Sequence, residues 1–222
     1  MNAKQRAALG AVPYVKDGMK LGLGTGSTVY YFIEEVGKLV ADGMQLTCVS
    51  TSERTTAQAV ALGIPVVDLN TVDRLDLVVD GADEIDPNRN GIKGGGGALF
   101  REKMVALAAE TCIWIVDESK MVDALGDFPL PVEIVPFGYL HTVRAVEKLG
   151  YTGTIRMAGA DCYVTDNGNY ILDLNLPKGY DPYAVEDALR RVNGVVETGL
   201  FLDICDIVCV GAADEQSIEF SR

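Results

Sequence analysis

The stretch MKLGLGTGSTVYYFIEEVGKLVADGMQLTCVS, residues 19–50, joins two short apolar segments through an amphipathic one. Residues 19–24 and 46–50 have the length and apolar character of buried strands, and residues 27–43 repeat apolar side chains at helical spacing up to a closing glycine. A strand, a helix and a second strand in this order are typical of a βαβ unit, in which the two strands run parallel. The stretch therefore predicts a parallel sheet.

The alternation of strand-like and helix-like segments continues up to residue 117. Residues 52–63 begin with a serine at the predicted N-cap and end at a glycine, and two apolar strand segments follow. Residues 98–110 then predict a further helix before the strand at 112–117. Strands that alternate with helices of this length predict an α/β domain with a mostly parallel sheet, covered by helices on both faces.

A different pattern begins at Pro129. Up to residue 202 the segments are typical of a strand, a helix, a strand, a hairpin with an Asn-Gly turn at 167–168, a helix and a last strand. This order predicts a second, smaller α+β domain with two βαβ-type halves. The apolar segment 204–213 resembles the first half in composition and predicts a return to the larger sheet. The predicted domains are 1–128 with 203–222, and 129–202.

Charge and apolar content limit the classes of partner. With 48% apolar residues, a chain of 222 residues can bury a substantial core without disulfides or metals. Nineteen Lys and Arg against 32 Asp and Glu give a formal net charge of −13, which disfavours nucleic acid and anionic membrane surfaces as partners. An anionic ligand would therefore need a local positive site.

The cysteines and the apolar runs indicate the compartment. The five cysteines form no CxxC pair and mostly lie in apolar segments, which predicts buried thiols in a reducing environment. The amino-terminal residues lack the apolar core of a signal peptide, and no apolar run approaches the ~20 residues that span a bilayer. We predict a cytoplasmic protein.

Three unusual loops occur in the first half of the chain, two of them after predicted strands and the third before a predicted helix. They are GLGTGST (22–28), DGADEID (80–86) and KGGGGALFREK (93–103). Ligands of open parallel sheets bind beyond the carboxyl ends of the strands. All three loops are therefore predicted to lie on the ligand-binding edge.

The first loop begins as a dinucleotide fingerprint, with Gly22 and Gly24 after a strand. Ser27 occupies the place of the third glycine, and the loop has no P-loop lysine, so both motifs fail. Thr25, Ser27 and Thr28 offer hydroxyl and amide groups at a helix N-terminus, which favours a phosphate-binding turn. A tight turn with an ordinary helix cap is the alternative.

The third loop places four glycines, Gly94 to Gly97, between Lys93 and a helix that contains Glu102. A glycine run of this length is entropically costly to order, which favours close backbone contact with a ligand. A flexible surface loop is the alternative. For Glu102 the alternative is a favourable interaction with the helix dipole.

The carboxylates of the acidic loop could serve several kinds of metal site. Residues 86–91 match the opening of an EF-hand, but Gly97 occupies the position of its bidentate glutamate. The single histidine, His141, lies outside the three loops, which disfavours a transition-metal site. A Mg²⁺ site formed by two carboxylates remains an open alternative.

The remaining hypothesis for the acidic loop is proton transfer. Asp80 and Asp83, with Lys93 and Glu102, form an acid/base set without histidine. Neighbouring carboxyl groups can differ in protonation, so that one donates a proton while another accepts one. Glu84 and Asp86 are predicted to be solvated turn residues.

Five motifs together resemble ribose-5-phosphate isomerases of the A type. In chain order they are GLGTGSTV, DGADEID, KGGGGALFREK, DESKMVDALG and FPLPVEIVP. The similarity extends from the first helix to VTDNGNYILD and GLF, and so covers nearly the whole chain. One small departure is Gly97, because the family usually has three glycines and then alanine after the lysine.

The resemblance implies a Rossmann-like domain with a ferredoxin-like α+β domain, and an aldose-ketose isomerase of the pentose phosphate pathway. It implies no cofactor and no metal, a sugar phosphate substrate, and a homo-oligomer, with a dimer favoured. Glu102 would move a proton between C2 and C1 through an enediol, Asp80 and Asp83 would serve ring opening and the hydroxyl protons, and Lys93 would stabilise the oxyanion. The implied substrate-binding residues are Lys4, Thr25, Gly26, Ser27, Thr28, Asp80, Gly81, Ala82, Asp83, Lys93, Gly94, Gly95, Gly96 and Lys120.

Two other functions stay open. A non-catalytic regulator that senses sugar phosphates could share the sheet and the loops, although this acidic chain has no segment that matches a DNA-binding module. A dinucleotide-dependent enzyme is the weaker alternative, because its fingerprint is incomplete.

Overall fold

The computed structural model describes residues 1–212 and 218–221 of the chain. In these residues the helices are α1 (Ala3–Ala11), α2 (Ser27–Ala41), α3 (Glu53–Ala61), α4 (Leu99–Leu107), α5 (Tyr139–Lys148) and α6 (Pro182–Arg190). The strands are β1 (Lys20–Leu23), β2 (Thr47–Ser50), β3 (Leu75–Asp80), β4 (Glu84–Ile85), β5 (Gly91–Ile92), β6 (Ala109–Asp117), β7 (Leu130–Ile134), β8 (Thr152–Ile155), β9 (Met157–Ala158), β10 (Asp161–Cys162), β11 (Tyr170–Asn175), β12 (Val195–Thr198), β13 (Leu200–Phe201), β14 (Ile207–Gly211) and β15 (Ile218–Ser221).

Contacts divide the chain into two compact units. The first unit comprises Met1–Ala82, Arg101–Met121 and Ile204–Arg222, and the second comprises Asp83–Phe100 and Val122–Asp203. Residues 83–100 and 122–128, which the sequence assigned to the first domain, thus make their contacts within the second unit. The predicted first domain includes residues 213–217 and 222, which lie outside the described residues. The predicted strand 204–213 includes one of them, residue 213.

The sheet of the first unit has the order β15-β14-β6-β3-β1-β2. All its pairings are parallel except that of β14 with the edge strand β15. Leu21 and Leu23 of β1 belong to a core shared with apolar residues of α1 and α2, while a Cβ at Gly22 would meet Val105 of α4. Because successive strand residues face opposite sides, helices cover both faces, and the predicted mostly parallel sheet is confirmed.

The order of the parallel strands creates a crevice between β1 and β3. Taken from one edge, the parallel strands occur in the chain order 2-1-3-4-5, so the direction of winding reverses between β1 and β3. The segments that leave the carboxyl ends of these two neighbours therefore diverge, which is the usual position of a ligand in an open parallel sheet. The loop after Leu23 and the loop after Asp80 both begin at this point.

The second unit contains an antiparallel sheet of order β12-β7-β11-β8. With α5 between β7 and β8 and α6 between β11 and β12, the chain follows a βαββαβ pattern, which is ferredoxin-like. Val132 of β7 packs with Val146 of α5 and Leu189 of α6 in the core of this unit. A smaller sheet of order β13-β5-β4 completes the unit. The predicted α+β fold of the second part is confirmed.

Two acidic residues depart from the prediction that they are solvated. Glu84 is 3% exposed, and its carboxylate accepts hydrogen bonds from the backbone N–H groups of Gly126 at 2.9 Å and Phe128 at 2.5 Å. Asp86 is 9% exposed and accepts from the N–H of Asn90 at 2.9 Å. The prediction was wrong because backbone N–H groups can satisfy a buried carboxylate. The donors of Glu84 are distant along the chain and leave no local signal, whereas Asp86 is satisfied by a donor in its own turn.

The cysteines behave as ordinary buried groups. Cys48, Cys112, Cys205 and Cys209 are buried, Cys162 is partly exposed, and none of the five forms a disulfide. Burial raises the pKa of the Cys48 thiol to about 12, so this thiol stays protonated at neutral pH. Among the described residues, each helix is too short or too polar to cross a membrane.

Candidate active site

The turn after β1 is held against the end of β3. The N–H of Gly24 donates to the carbonyl oxygen of Val79 at 3.0 Å, and the N–H of Thr25 donates to Oδ1 of Asp80 at 2.9 Å. A Cβ added at Gly24 would lie 2.1 Å from that Oδ1 and 2.6 Å from the Cα of Asp80. Glycine is therefore required at position 24, because no side chain fits between the two strand ends.

Asp80 is the last residue of β3, and only 2% of it is exposed. Its Oδ1 accepts hydrogen bonds from the N–H groups of Thr25 at 2.9 Å and Gly81 at 2.7 Å. Two backbone donors on one oxygen determine the orientation of the carboxylate. Of the two loop residues after Asp80, Gly81 contributes its backbone N–H to this arrangement. Ala82 ends the first of the three chain segments that form the first unit.

A cluster of hydroxyl groups surrounds Thr25. Its Oγ1 lies 2.7 Å from Oγ1 of Thr51, 2.7 Å from Oγ of Ser52 and 3.2 Å from Oγ1 of Thr55. These partners follow β2, and the sequence reasoning did not identify them, although the hydroxyl-rich run from Ser50 to Thr56 could have drawn attention to them. These hydrogen bonds of the Thr25 side chain hold the turn after β1 in place.

The N-terminus of α2 presents amide groups beside a lysine. Gly26 is the N-cap with a φ of 145°, and the first turn of α2 contains no acidic residue. Nζ of Lys4 donates to Oγ of Ser27 at 2.8 Å, and Thr28 is buried one residue further on. Positive charge and free helix amides favour an anion. Lys120 belongs to the same unit and follows the end of β6, in the sheet position next to β3.

The glycine run of the second unit is ordered and contacts Asp83. The N–H of Gly95 donates to Oδ2 of Asp83 at 2.7 Å, and a Cβ at Gly95 would lie 2.7 Å from the other carboxylate oxygen. The N–H of Gly97 donates to the carbonyl oxygen of Gly94 at 2.9 Å, with φ values of 81° and 104°. These bonds make a defined turn, so the alternative of a flexible surface loop is not supported.

Lys93 is buried at the start of this turn and is 2% exposed. Its N–H donates to the carbonyl oxygen of Gly199 at 2.9 Å, and its Nζ lies 5.3 Å from the centroid of the Phe201 ring. The pairing of β5 with β13 places these residues together. An ammonium group over an aromatic face is stabilised by the ring quadrupole, which helps to keep a cation in a buried position.

Glu102 lies in the first turn of α4 and belongs to the first unit. Only 4% of this residue is exposed. The helix dipole stabilises a carboxylate by about 0.3–1 kcal/mol at an exposed position and up to about 2 kcal/mol when it is partly buried. The burial of an ionised carboxylate costs more than this gain. Burial therefore favours a chemical role for Glu102 over the dipole alternative.

The comparisons with known proteins agree with one another. The family model described as ribose 5-phosphate isomerase A (phosphoriboisomerase A) matches residues 47–215. The chain belongs to the ribose 5-phosphate isomerase A family. A ribose-5-phosphate isomerase A of Streptococcus mutans is 52% identical over 212 residues, covering 95% of this chain and 94% of that protein.

Two solved structures of the ribose 5-phosphate isomerase family have the same fold. A D-ribose-5-phosphate isomerase in complex with phospho-erythronic acid is 39% identical, with a TM-score of 0.94 and coverage of 100% of both chains. The isomerase from Methanocaldococcus jannaschii is 37% identical, with a TM-score of 0.92 and coverage of 99% of this chain and 98% of that one. The family and the fold predicted from the sequence are confirmed.

The hydrogen bonds join the predicted site residues of this family member in two groups. In the first unit Lys4 contacts Ser27, and Thr25 contacts Asp80. In the second unit Asp83 contacts Gly95. Among the described residues, no cluster of three or more His, Cys, Asp or Glu side chains could hold a metal ion. The individual catalytic roles stay predictions.

The close contact of Gly24 with Asp80 gives a first testable prediction. Gly24→Ala should lower the free energy of unfolding by about 1–3 kcal/mol, because the methyl group overlaps the backbone of Asp80. Displacement of Asp80 should also lower kcat/KM for ribose 5-phosphate by roughly tenfold or more. The measurements are chemical denaturation and initial rates.

Gly37→Ala is the matched control, since it adds the same methyl group within α2 of the same unit. Its Cβ would lie 3.0 Å from the side chain of Leu62. The nearest atom is Cβ of Leu62, so the two helices must separate by a few tenths of an ångström. Leu62 lies at the end of α3 and outside the predicted site, so isomerase activity should be unchanged. Equal activity of the two variants would show that the close contact of Gly24 with Asp80 is not needed for catalysis.

Proposed function

We propose that this chain is an aldose-ketose isomerase that interconverts D-ribose 5-phosphate and D-ribulose 5-phosphate through an enediol, in the pentose phosphate pathway. The observation that carries the proposal is the match to the isomerase family along residues 47–215. Relatives such as the Streptococcus mutans protein, which is 52% identical, carry the same name.

The proton transfer is assigned to Glu102. In the open-chain aldose the carboxylate takes the proton from C2, the electrons of that C–H bond form the C1–C2 double bond of the enediol, and the carbonyl oxygen gains a proton. Glu102 then returns its proton to C1, while the hydroxyl on C2 loses one and becomes the ketone. The burial of Glu102 supports this role, because a water-excluded carboxylate is a stronger base toward carbon than a solvated one.

The oxygen chemistry is assigned to Asp80, Asp83 and Lys93. The two aspartates would move protons on O1, O2 and the ring oxygen, the last during ring opening. The ammonium of Lys93 would stabilise the negative charge that develops on oxygen when C2 loses its proton. The buried position of Lys93 supports this role, because a charge acts more strongly where water is excluded.

The substrate phosphate is assigned to the turn from Thr25 to Thr28 with Lys4 and Lys120. The N-terminal amides of α2 and the Lys4–Ser27 hydrogen bond of 2.8 Å support an anion site there. This arrangement supplies the local positive site that a chain with a net charge of −13 needs. Gly81, Ala82 and Gly94 to Gly96 would line the sugar with their backbone.

A measurement of turnover distinguishes the proposed isomerase from a non-catalytic regulator and from a dinucleotide-dependent enzyme. Purified protein should convert ribose 5-phosphate into ribulose 5-phosphate without added nucleotide. The measurement is the increase in absorbance of the ketose product. A regulator would bind the sugar phosphate without converting it. The family relatives are named as isomerases, and Ser27 in place of the third fingerprint glycine disfavours the dinucleotide enzyme.

Activity is expected to survive exhaustive dialysis against EDTA, because the proposed charge stabilisation comes from Lys93 and backbone amides. The measurement is kcat/KM before and after dialysis, with a sample dialysed against buffer alone as the control. A loss of turnover that Mg²⁺ or Mn²⁺ restores would show that carboxylates of the 80–86 loop hold a metal.

The cellular setting of the proposal is a cytoplasmic homodimer that uses no nucleic acid or membrane partner. Four buried cysteines and no disulfide among the five suit a reducing compartment. The homodimer is the assembly that the resemblance to the family implies. Sedimentation equilibrium of the purified chain measures the size of the oligomer.

A further inference from the structure

One side chain outside the assigned catalytic set holds the glycine turn. Arg156 follows β8 in the second unit, and its Nη1 donates to the carbonyl oxygens of Gly94 at 2.9 Å and Gly95 at 3.1 Å. The other side of the guanidinium binds Asp173, with Nε at 2.9 Å from Oδ2 and Nη2 at 2.5 Å from Oδ1. Both ionic side chains are largely shielded from water, at 17% and 21% exposed.

The contacts of Arg156 determine which way two peptide N–H groups point. In a planar trans peptide the C=O of one residue and the N–H of the next point in opposite directions. When Arg156 holds the C=O of Gly94, the N–H of Gly95 points away from it, and this N–H indeed donates to Asp83 at 2.7 Å. By the same geometry the N–H of Gly96 points away from the guanidinium.

Tyr163 supports the same turn from the side of Arg156. Its hydroxyl donates to the carbonyl oxygen of Gly96 at 3.4 Å, and its ring centroid lies 5.8 Å from the guanidinium carbon of Arg156. A Cβ at Gly97 would lie 2.2 Å from the Tyr163 hydroxyl, so the ring packs closely against the turn. Glycines have no side chains that could restrain their own peptide planes, and the restraint comes from these neighbours.

We propose that Arg156, oriented by Asp173, is a positioning residue for isomerisation, because it holds the amides of Gly95 and Gly96 in one direction. The inference rests on the proposed function, in which Asp83 and the glycine turn bind the sugar. It extends that function to a residue that does not touch the substrate and acts on it only by holding the glycine turn. Without Arg156 the turn would sample other peptide orientations, and Asp83 would lose a fixed partner.

A purely structural ion pair predicts a different outcome. Arg190 offers the comparison, since it pairs with Glu186 at 2.6 Å and Glu197 at 2.8 Å in the same unit. Loss of that pair should lower thermal stability and leave catalysis intact. Loss of the Arg156 pair should change catalysis as well, because its guanidinium also binds the turn.

The experiment compares Arg156→Gln, Arg156→Lys and the control Arg190→Gln. Arg156→Gln should lower kcat/KM for ribose 5-phosphate by about 10- to 100-fold, with kcat reduced more than KM is raised, because misplaced binding groups cost most in the transition state. Arg156→Lys should not restore activity, since an ammonium cannot bridge a carboxylate and two carbonyl groups in one plane. Arg190→Gln should retain parental kcat/KM.

A second variant and a binding probe keep the test decisive. Asp173→Asn preserves the shape of the partner and should also lower kcat/KM, because the guanidinium of Arg156 loses its carboxylate partner. This variant replaces Arg156→Gln in the test if Arg156→Gln does not fold. Phospho-erythronic acid should inhibit the Arg156→Gln enzyme more weakly than the parent. A kcat/KM within about threefold of the parent for folded Arg156→Gln would overturn the inference, because misplacement should cost more. A parent without turnover would instead overturn the proposed function.

Discussion

Glu102→Gln is expected to fold, to bind ribose 5-phosphate and to lose turnover by about 10²–10⁴-fold, the range of a general acid/base contribution. Glutamine keeps the shape and the hydrogen-bonding reach of glutamate, but it cannot accept the proton from C2. The measurements are kcat, the thermal midpoint and the incorporation of solvent deuterium at C2 of the ribose phosphate pool, which should cease in the variant.

Glu53→Gln is the matched control for this experiment. Glu53 lies in the first turn of α3, as Glu102 lies in the first turn of α4, but Glu53 is exposed. Its loss should cost roughly 0.3–1 kcal/mol of stability through the helix dipole and leave kcat unchanged. A Glu102→Gln enzyme within about tenfold of the parent would fall below the general-base range, and the role would pass to Asp80 or Asp83.

Lys93→Gln is expected to lower kcat by about 10²–10³-fold, the effect of removing one stabilising group from a developing oxyanion. The variant keeps a hydrogen-bond donor but loses the charge. Lys93→Arg should recover little activity, because a planar guanidinium cannot replace a compact ammonium in a buried position.

The balance between kcat and KM distinguishes two roles for Lys93. A lysine that binds the phosphate contributes to ground-state binding, so its loss would raise KM and leave kcat intact. That result would contradict the oxyanion role. Lys178→Gln is the control, since Lys178 is an exposed lysine of the same unit that pairs with Asp127 at 2.6 Å. Its kinetic constants should match those of the parent.

The sequence alone determined the two fold classes and the family. Apolar segments must be buried, so the alternation of strand and helix periods up to residue 117 indicates a parallel sheet, and the change after Pro129 indicates an α+β unit. Candidate site residues could also be predicted, because a run of glycines costs conformational entropy when it is ordered. Such a run, and carboxylates clustered in loops after strands, therefore indicate a ligand site. Local chain chemistry is enough for these conclusions.

Segment assignments after Ala82 needed the tertiary structure. The sequence pattern assigned residues 83–100 to the first domain, but the strands β4 and β5 pair with each other and with β13 in the second unit. Strands of two residues are too short to show a periodicity. The burial of Glu84 likewise depends on backbone donors 42 and 44 residues away.

The contacts that orient the candidate site were decided by the tertiary structure alone. Thr25 reaches the carboxylate of Asp80 across 55 residues because β1 and β3 are neighbours in the sheet, although β2 lies between them in the chain. Arg156 reaches Gly94 across 62 residues. Such pairs are set by strand order and by packing of the whole unit, whereas the sequence pattern reports only which side chains must be buried and which groups need a partner.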